Sequence, residues 1–99
     1  MTFTVEFTGR ARSELLSSLV WYEDKQSGLG DRLAEMVQRC IRSIQKSPDH
    51  YTKRKYGFRE MRVPDFPFLI IFKLNKRKSH ITISSIFHTS KNPSGKYKK

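Results

Sequence analysis

The chain has 99 residues, which suffices for one hydrophobic core but not two, and carries a formal charge of +11 that is unevenly placed. Residues 1–49 hold seven basic and seven acidic side chains, whereas residues 50–99 hold thirteen basic and two acidic, so the whole excess lies in the second half. That segregation points to a polyanionic partner, either a phosphate backbone or an acidic protein segment. The longest apolar run, Phe66 to Phe72, is broken by Pro67 and falls far short of the roughly 20 residues needed to cross a bilayer. Cys40 is the only cysteine, which excludes an internal disulfide and a cysteine-based zinc site; a reduced core residue is expected.

Met1 to Phe7 alternates apolar with polar residues and lacks the basic region and continuous apolar stretch of a secretory signal, so a cytoplasmic protein is expected. The alternation places Phe3, Val5 and Phe7 on one face of a first strand. Thr8 can cap a helix of about eighteen residues, with Leu15, Leu16, Leu19, Val20 and Tyr22 near helical spacing and a stop at Ser27-Gly28. A second helix carries the stripe Leu29, Leu33, Met36, Val37, Cys40, Ile41 and Ile44 and ends at Ser47-Pro48. Strand patterns follow at Phe58–Val63, Phe66–Lys73 and His80–His88, separated by Pro64-Asp65 and by the polar turn Leu74 to Ser79. A helical hairpin needs an apolar surface to cover and a small sheet needs one face shielded. The expected architecture is therefore a two-layer α+β domain: an N-terminal strand, a helical hairpin, then a three-stranded antiparallel meander.

Several of these segments carry a more specific signal. Trp21-Tyr22-Glu23 followed by Gly28-Leu29-Gly30-Asp31-Arg32 resembles the helix-hairpin signature of RelE/ParE toxins. Ser47-Pro48 matches that family's helix end, Phe66 to Phe72 resembles its central "FPY" strand, and His88-Thr89-Ser90-Lys91-Asn92-Pro93 is similar to its closing "H-x-x-R-x-P". The resemblance runs from Val5 to about Pro93, so residues 1–93 read as one toxin domain and residues 94–99 as a flexible basic tail. It implies the toxin of a bacterial type II toxin-antitoxin pair, bound in a hetero-oligomer by an antitoxin segment that is acidic or amphipathic. RelE-like members cut mRNA in the ribosomal decoding site; ParE-like members act on DNA gyrase without nuclease chemistry. A basic domain that only binds nucleic acid or protein is the third reading.

RNA cleavage by the 2′-hydroxyl needs a base, cations for the extra charge on phosphorus, and an acid for the leaving 5′-oxygen. His88 can serve as acid or base, and Glu60 is the nearby carboxylate. Arg59 lies seven residues before Phe66, where the resemblance places an arginine, and completes the candidate catalytic set. Lys53, Arg54, Lys55, Arg62 and Lys91 are candidates for holding phosphate or RNA. Lys91 stands where the family more often has arginine and cannot form its bidentate fork. Strand parity puts Ile81, Ile83 and Phe87 on the core face of the last strand and His88 on the other, away from the helices. The plainer alternative for His88 is a strand-end histidine bonded to backbone. Tyr51, Tyr56 and Phe58 interleave with Lys53, Arg54 and Lys55 and are better placed to stack on bases than Trp21 and Tyr22. His50, His80 and His88 lack metal-ligand spacing, and neither a metal nor a cofactor is expected.

Overall fold

Thr8 starts the first helix as its sequence suggests: its backbone is extended and its hydroxyl accepts the amide of Ala11. In the computed structural model, which describes residues 3–97, strand β1 (Thr4–Phe7) leads into helix α1 (Gly9–Lys25) and helix α2 (Leu29–Lys46). Strands β2 (Arg59–Arg62), β3 (Phe68–Asn75) and β4 (His80–His88) follow, with single 3-10 turns at Pro48–His50, Lys55–Gly57 and Pro93–Gly95.

The hairpin between the helices explains its own glycines. Gly28 takes φ +89° at the start of α2, a left-handed conformation that a side chain would strain. Gly30 sits where the helices touch: a Cβ there would lie 2.7 Å from the Leu19 carbonyl oxygen. Glu23, on the last turn of α1, accepts the amides of Gly28 at 2.9 Å and Gly30 at 3.0 Å, meeting free donors at the start of α2. The Glu23, Gly28 and Gly30 pattern is thus one interlocking turn.

The sheet order is β1-β4-β3-β2, with β1 parallel to β4 and the other pairs antiparallel. The meander was legible in the sequence. Its boundaries differ slightly: β2 and β3 begin at Arg59 and Phe68, and β3 continues through Leu74 to Asn75. Leu74 packs against the main core, which keeps it in the strand rather than in the turn. β1 takes the edge beside β4, with Thr4 opposite His80 and Phe7 opposite Ile83.

One face of the sheet lies under the helices. Leu33, Val37, Cys40 and Ile44 of α2 and Ala11 of α1 join Val63, Phe66, Phe68, Ile70, Phe72, Ile81, Ile83 and Ile86 in a single core. The apolar stripe of α2 is therefore used in full, but that of α1 is not. Leu16, Val20 and Trp21 are 56%, 62% and 55% exposed, and only Leu15, Leu19 and Tyr22 reach the core. The opposite, open face carries a smaller cluster of Phe58, Ile71 and Phe87. No helix among the described residues is long and apolar enough to cross a membrane.

Candidate functional site

The last strand does not keep one parity from end to end. Phe72 pairs with Ile83 but Ile71 with Ser85, so Ser84 is an extra residue and β4 is bulged there. The bulge turns the following residues over. Ile86 joins the core under the helices, Phe87 moves to the open face, and His88 follows Ile86 to the helix side. His88 packs edge-on against Phe68 at 5.1 Å and lines a groove of about 510 Å³ with Ser13, Ser17, Trp21, Tyr22 and Lys91. The expectation that His88 points away from the helices is thereby corrected. Its Nδ1 accepts the Ser90 amide at 3.1 Å, so in the neutral ring the proton sits on Nε2.

Arg59 is likewise held on the helix side of the sheet. It lies opposite Phe72 and is 9% exposed. Its Nη1 donates to the Tyr51 carbonyl at 2.6 Å and its Nη2 stands 3.7 Å from Asp49 Oδ1, while Nε is buried without a partner. These bonds tie the segment after α2 to the sheet edge. They give Arg59 a structural use that the sequence spacing did not suggest.

Glu60 faces the other way. It pairs with Ile71 on the open face, and its side chain is only 11% exposed because the C-terminal arm is laid over it. The Tyr97 hydroxyl donates to Glu60 Oε2, and Lys96 Nζ lies 2.9 Å from the same oxygen. Arg54 Nε stands 3.9 Å from Oε1. The Tyr97 ring stacks on Phe58 with centroids 5.5 Å apart and planes 18° from parallel, while Lys73 Nζ sits 4.5 Å from the Phe58 centroid. Residues as far as Tyr97, which composition suggested as a flexible arm, are thus packed on the sheet, because Tyr97 has an apolar ring to cover and Lys96 an anion to meet. Lys98 and Lys99 lie outside the described residues.

This surroundings sets protonation states. Burial, then the hydrogen bond to Glu60, pushes the Tyr97 phenol above its ordinary value, and the Glu60 hydrogen bond likewise raises Lys96. Both remain protonated well beyond neutrality, leaving an O–H donor and an ammonium against one carboxylate.

Apart from Arg54, the remaining cations surround this point without joining it. Lys53, Arg54 and Lys55 are exposed on the loop before β2, where Lys53 bridges to Arg59 and Arg54 N donates to Phe58 O at 2.6 Å. Arg62 is exposed opposite Leu69 at the other end of β2. Lys53, Arg59, Lys73 and Lys76 line a basic recess of about 550 Å³ at the sheet's far end. Lys91 stays with His88 beside α1. Of the candidate catalytic set, then, Glu60 lies on the open face, while His88 and Arg59 are on the helix side. Lys96 and Tyr97 were missed; the only hint in the sequence was a tyrosine among closing lysines. Among the described residues there is no group of three or more His, Cys, Asp or Glu side chains arranged to hold a metal ion.

A helical hairpin on one face of a four-stranded mixed sheet defines a class of two-layer α+β domains. Within it, the chain has the RelE/ParE toxin fold. A chain of the chromosomal ParDE toxin-antitoxin system from P. aeruginosa superposes with a TM-score of 0.73 at 16% identity, over 90% of this chain and 98% of that one. A chain of the toxin-antitoxin complex RelBE2 from Mycobacterium tuberculosis superposes with a TM-score of 0.61 at 18% identity, over 89% of this chain and 99% of that one. No protein-family model matches the sequence. No curated protein matches it either. At such identities the likeness is one of fold.

Proposed function

We propose that this protein is the toxin of a type II toxin-antitoxin pair and that it cuts RNA on the open face of its sheet. The observation that carries the chemical part is the meeting of Tyr97, Lys96 and Arg54 at Glu60. A carboxylate can take the proton of a 2′-hydroxyl as its oxygen attacks phosphorus, and a phenol that stays protonated can donate its proton to the departing 5′-oxygen. The ammonium and guanidinium offset the added charge on the phosphorane. Substrate would part the Tyr97–Glu60 contact, and the basic loop Lys53 to Lys55 with Arg62 would hold the flanking phosphates. His88 has no part in this step. The fold shared with the ParDE and RelBE2 chains supports the toxin reading, and an antitoxin segment is the expected partner. The test is growth arrest on induction: Glu60→Gln and Tyr97→Phe should each abolish it while His88→Ala retains it. Arrest by folded Glu60→Gln at wild-type strength would overturn the assignment.

A second reading has its own observation. Leu16, Val20 and Trp21 stand exposed on α1, a surface suited to a protein target such as DNA gyrase rather than to RNA. It predicts loss of toxicity in Trp21→Ala and inhibition of supercoiling by the wild type.

A further inference from the structure

The bulge at Ser84 opens the β3–β4 ladder, and side chains of α1 take up the backbone groups there. Thr8 Oγ1 donates to the Ser84 carbonyl at 3.1 Å. Glu14 Oε1 accepts the Ile86 amide at 3.0 Å and the Ser85 hydroxyl at 2.8 Å. The other Glu14 oxygen accepts from Arg10 Nε at 3.3 Å, and the same guanidinium reaches the Gly95 carbonyl through Nη2 at 2.7 Å. One chain of bonds therefore runs from the bulge, through Glu14 and Arg10, to the 3-10 turn that delivers Lys96 and Tyr97 to Glu60.

We propose that Arg10 and Glu14 are positioning residues that seat the C-terminal arm, so that the approach of Lys96 and Tyr97 to Glu60 depends on the face of α1. Neither residue touches the Glu60 site; they act through Gly95. The planar fork of arginine suits this role, since one side chain holds a carboxylate and a carbonyl at fixed separation. Its cost is visible: Arg10 Nη1 is buried without a partner. The arm's other anchors lie at its end, where Lys96 and Tyr97 meet Glu60 and the Tyr97 ring stacks on Phe58. Without Arg10 the turn that precedes them has no bond to α1. The consequence for catalysis rests on the nuclease reading, but the seating itself does not.

The experiment is NMR of the full chain, comparing wild type with Arg10→Ala. In the wild type the Tyr97 ring protons should be shifted by the stacked Phe58 ring. In the variant they should move to the positions of an unstructured tyrosine, and the Lys96 and Tyr97 amides should become mobile on the nanosecond scale, with core signals unchanged. Tyr97 signals that stay in place in a folded variant would overturn the proposal. Should Arg10→Ala not fold, Glu14→Gln keeps an acceptor for Ile86 while weakening the hold on Arg10; an undisturbed Tyr97 there overturns it equally. In an RNA-cleavage assay kcat should fall about 100-fold, as expected of misplaced reacting groups. A rise in KM alone, with Tyr97 still docked, would make Arg10 a mere RNA-attracting cation and sink the idea. If the wild type cleaves nothing yet Arg10→Ala frees Tyr97, the seating stands and the nuclease reading falls.

Discussion

Gly30→Ala isolates the close contact on which the helical hairpin rests. On helix propensity alone the change should stabilise, by about 1 kcal/mol in a helix interior. The structure predicts the opposite sign. A Cβ at Gly30 would lie 2.7 Å from the Leu19 carbonyl oxygen, 3.0 Å from Glu23 Oε1 and 3.1 Å from Glu23 Cβ. The carbonyl belongs to α1 backbone and cannot rotate aside, so the helices must separate locally. Glu23 must also move, loosening its bonds to the Gly28 and Gly30 amides. Overpacking of this kind costs about 1–3 kcal/mol, and weakening charge-assisted hydrogen bonds adds about 1–2 kcal/mol. Set against the propensity gain, the net loss is about 1–4 kcal/mol. For a domain of this size each kcal/mol corresponds to about 4–8 °C in Tm. Urea denaturation and thermal melting of the pair would measure it, and a Gly30→Ala protein as stable as the wild type or more so would refute the reasoning.

Other consequences follow from the same geometry. Arg59→Ala should lower stability by about 1–3 kcal/mol, because it leaves the Tyr51 carbonyl without its 2.6 Å donor; a melting curve matching the wild type would contradict the structural use given to Arg59. The docked arm should also be sensitive to alkali. Tyr97 and Lys96 both have raised pKa values in the folded protein, so their contribution is complete below the ordinary values of 10.0 and 10.5 and is lost as pH rises through the higher folded ones. Absorbance of tyrosinate should accordingly appear late for Tyr97, and its ring NMR signals should report undocking only above pH 10; undocking near neutrality would count against the Glu60 contact. Trp21→Ala should change stability by less than about 1 kcal/mol, since the ring is 55% exposed, and yet weaken capture by an antitoxin measurably if α1 is part of that interface.

How far the sequence discloses the structure depends on the length of the pattern being read. The α2 stripe runs through five turns with one period and every apolar residue in it is used. The α1 stripe has similar spacing, but period cannot tell which half of a wide stripe meets the sheet, and Leu16, Val20 and Trp21 face solvent. Strand alternation located β4 from His80 to His88, yet one inserted residue at Ser84 reverses the face of everything beyond it. No local signal marks that bulge, since Ser84 and Ser85 suit a turn, a strand or a loop alike; Glu14, which bonds Ser85 and Ile86 beside it, lies 71 residues upstream of Ser85. His88 was therefore assigned to the wrong side. Arg59 fits the spacing of a functional arginine, whereas its contacts with Tyr51 and Asp49 are legible only once the fold brings those residues to it. The docking of the arm was not legible because seven of the chain's last eight residues give no apolar signal, and the groups that meet it, the Phe58 ring, the Glu60 carboxylate and the Arg10 guanidinium, lie far away in sequence.

The proposed nuclease site at Glu60 and Tyr97 is tested most directly by RNA itself. The purified chain would be added to a cell-free translation reaction, with and without ribosomes engaged on the message, and new 5′ ends mapped by primer extension. A site at Glu60 and Tyr97 predicts breaks by the wild-type chain, none by Glu60→Gln, and undiminished breaks by His88→Ala. An intact message with the wild-type chain present, or breaks that survive Glu60→Gln and vanish with His88→Ala, would contradict it.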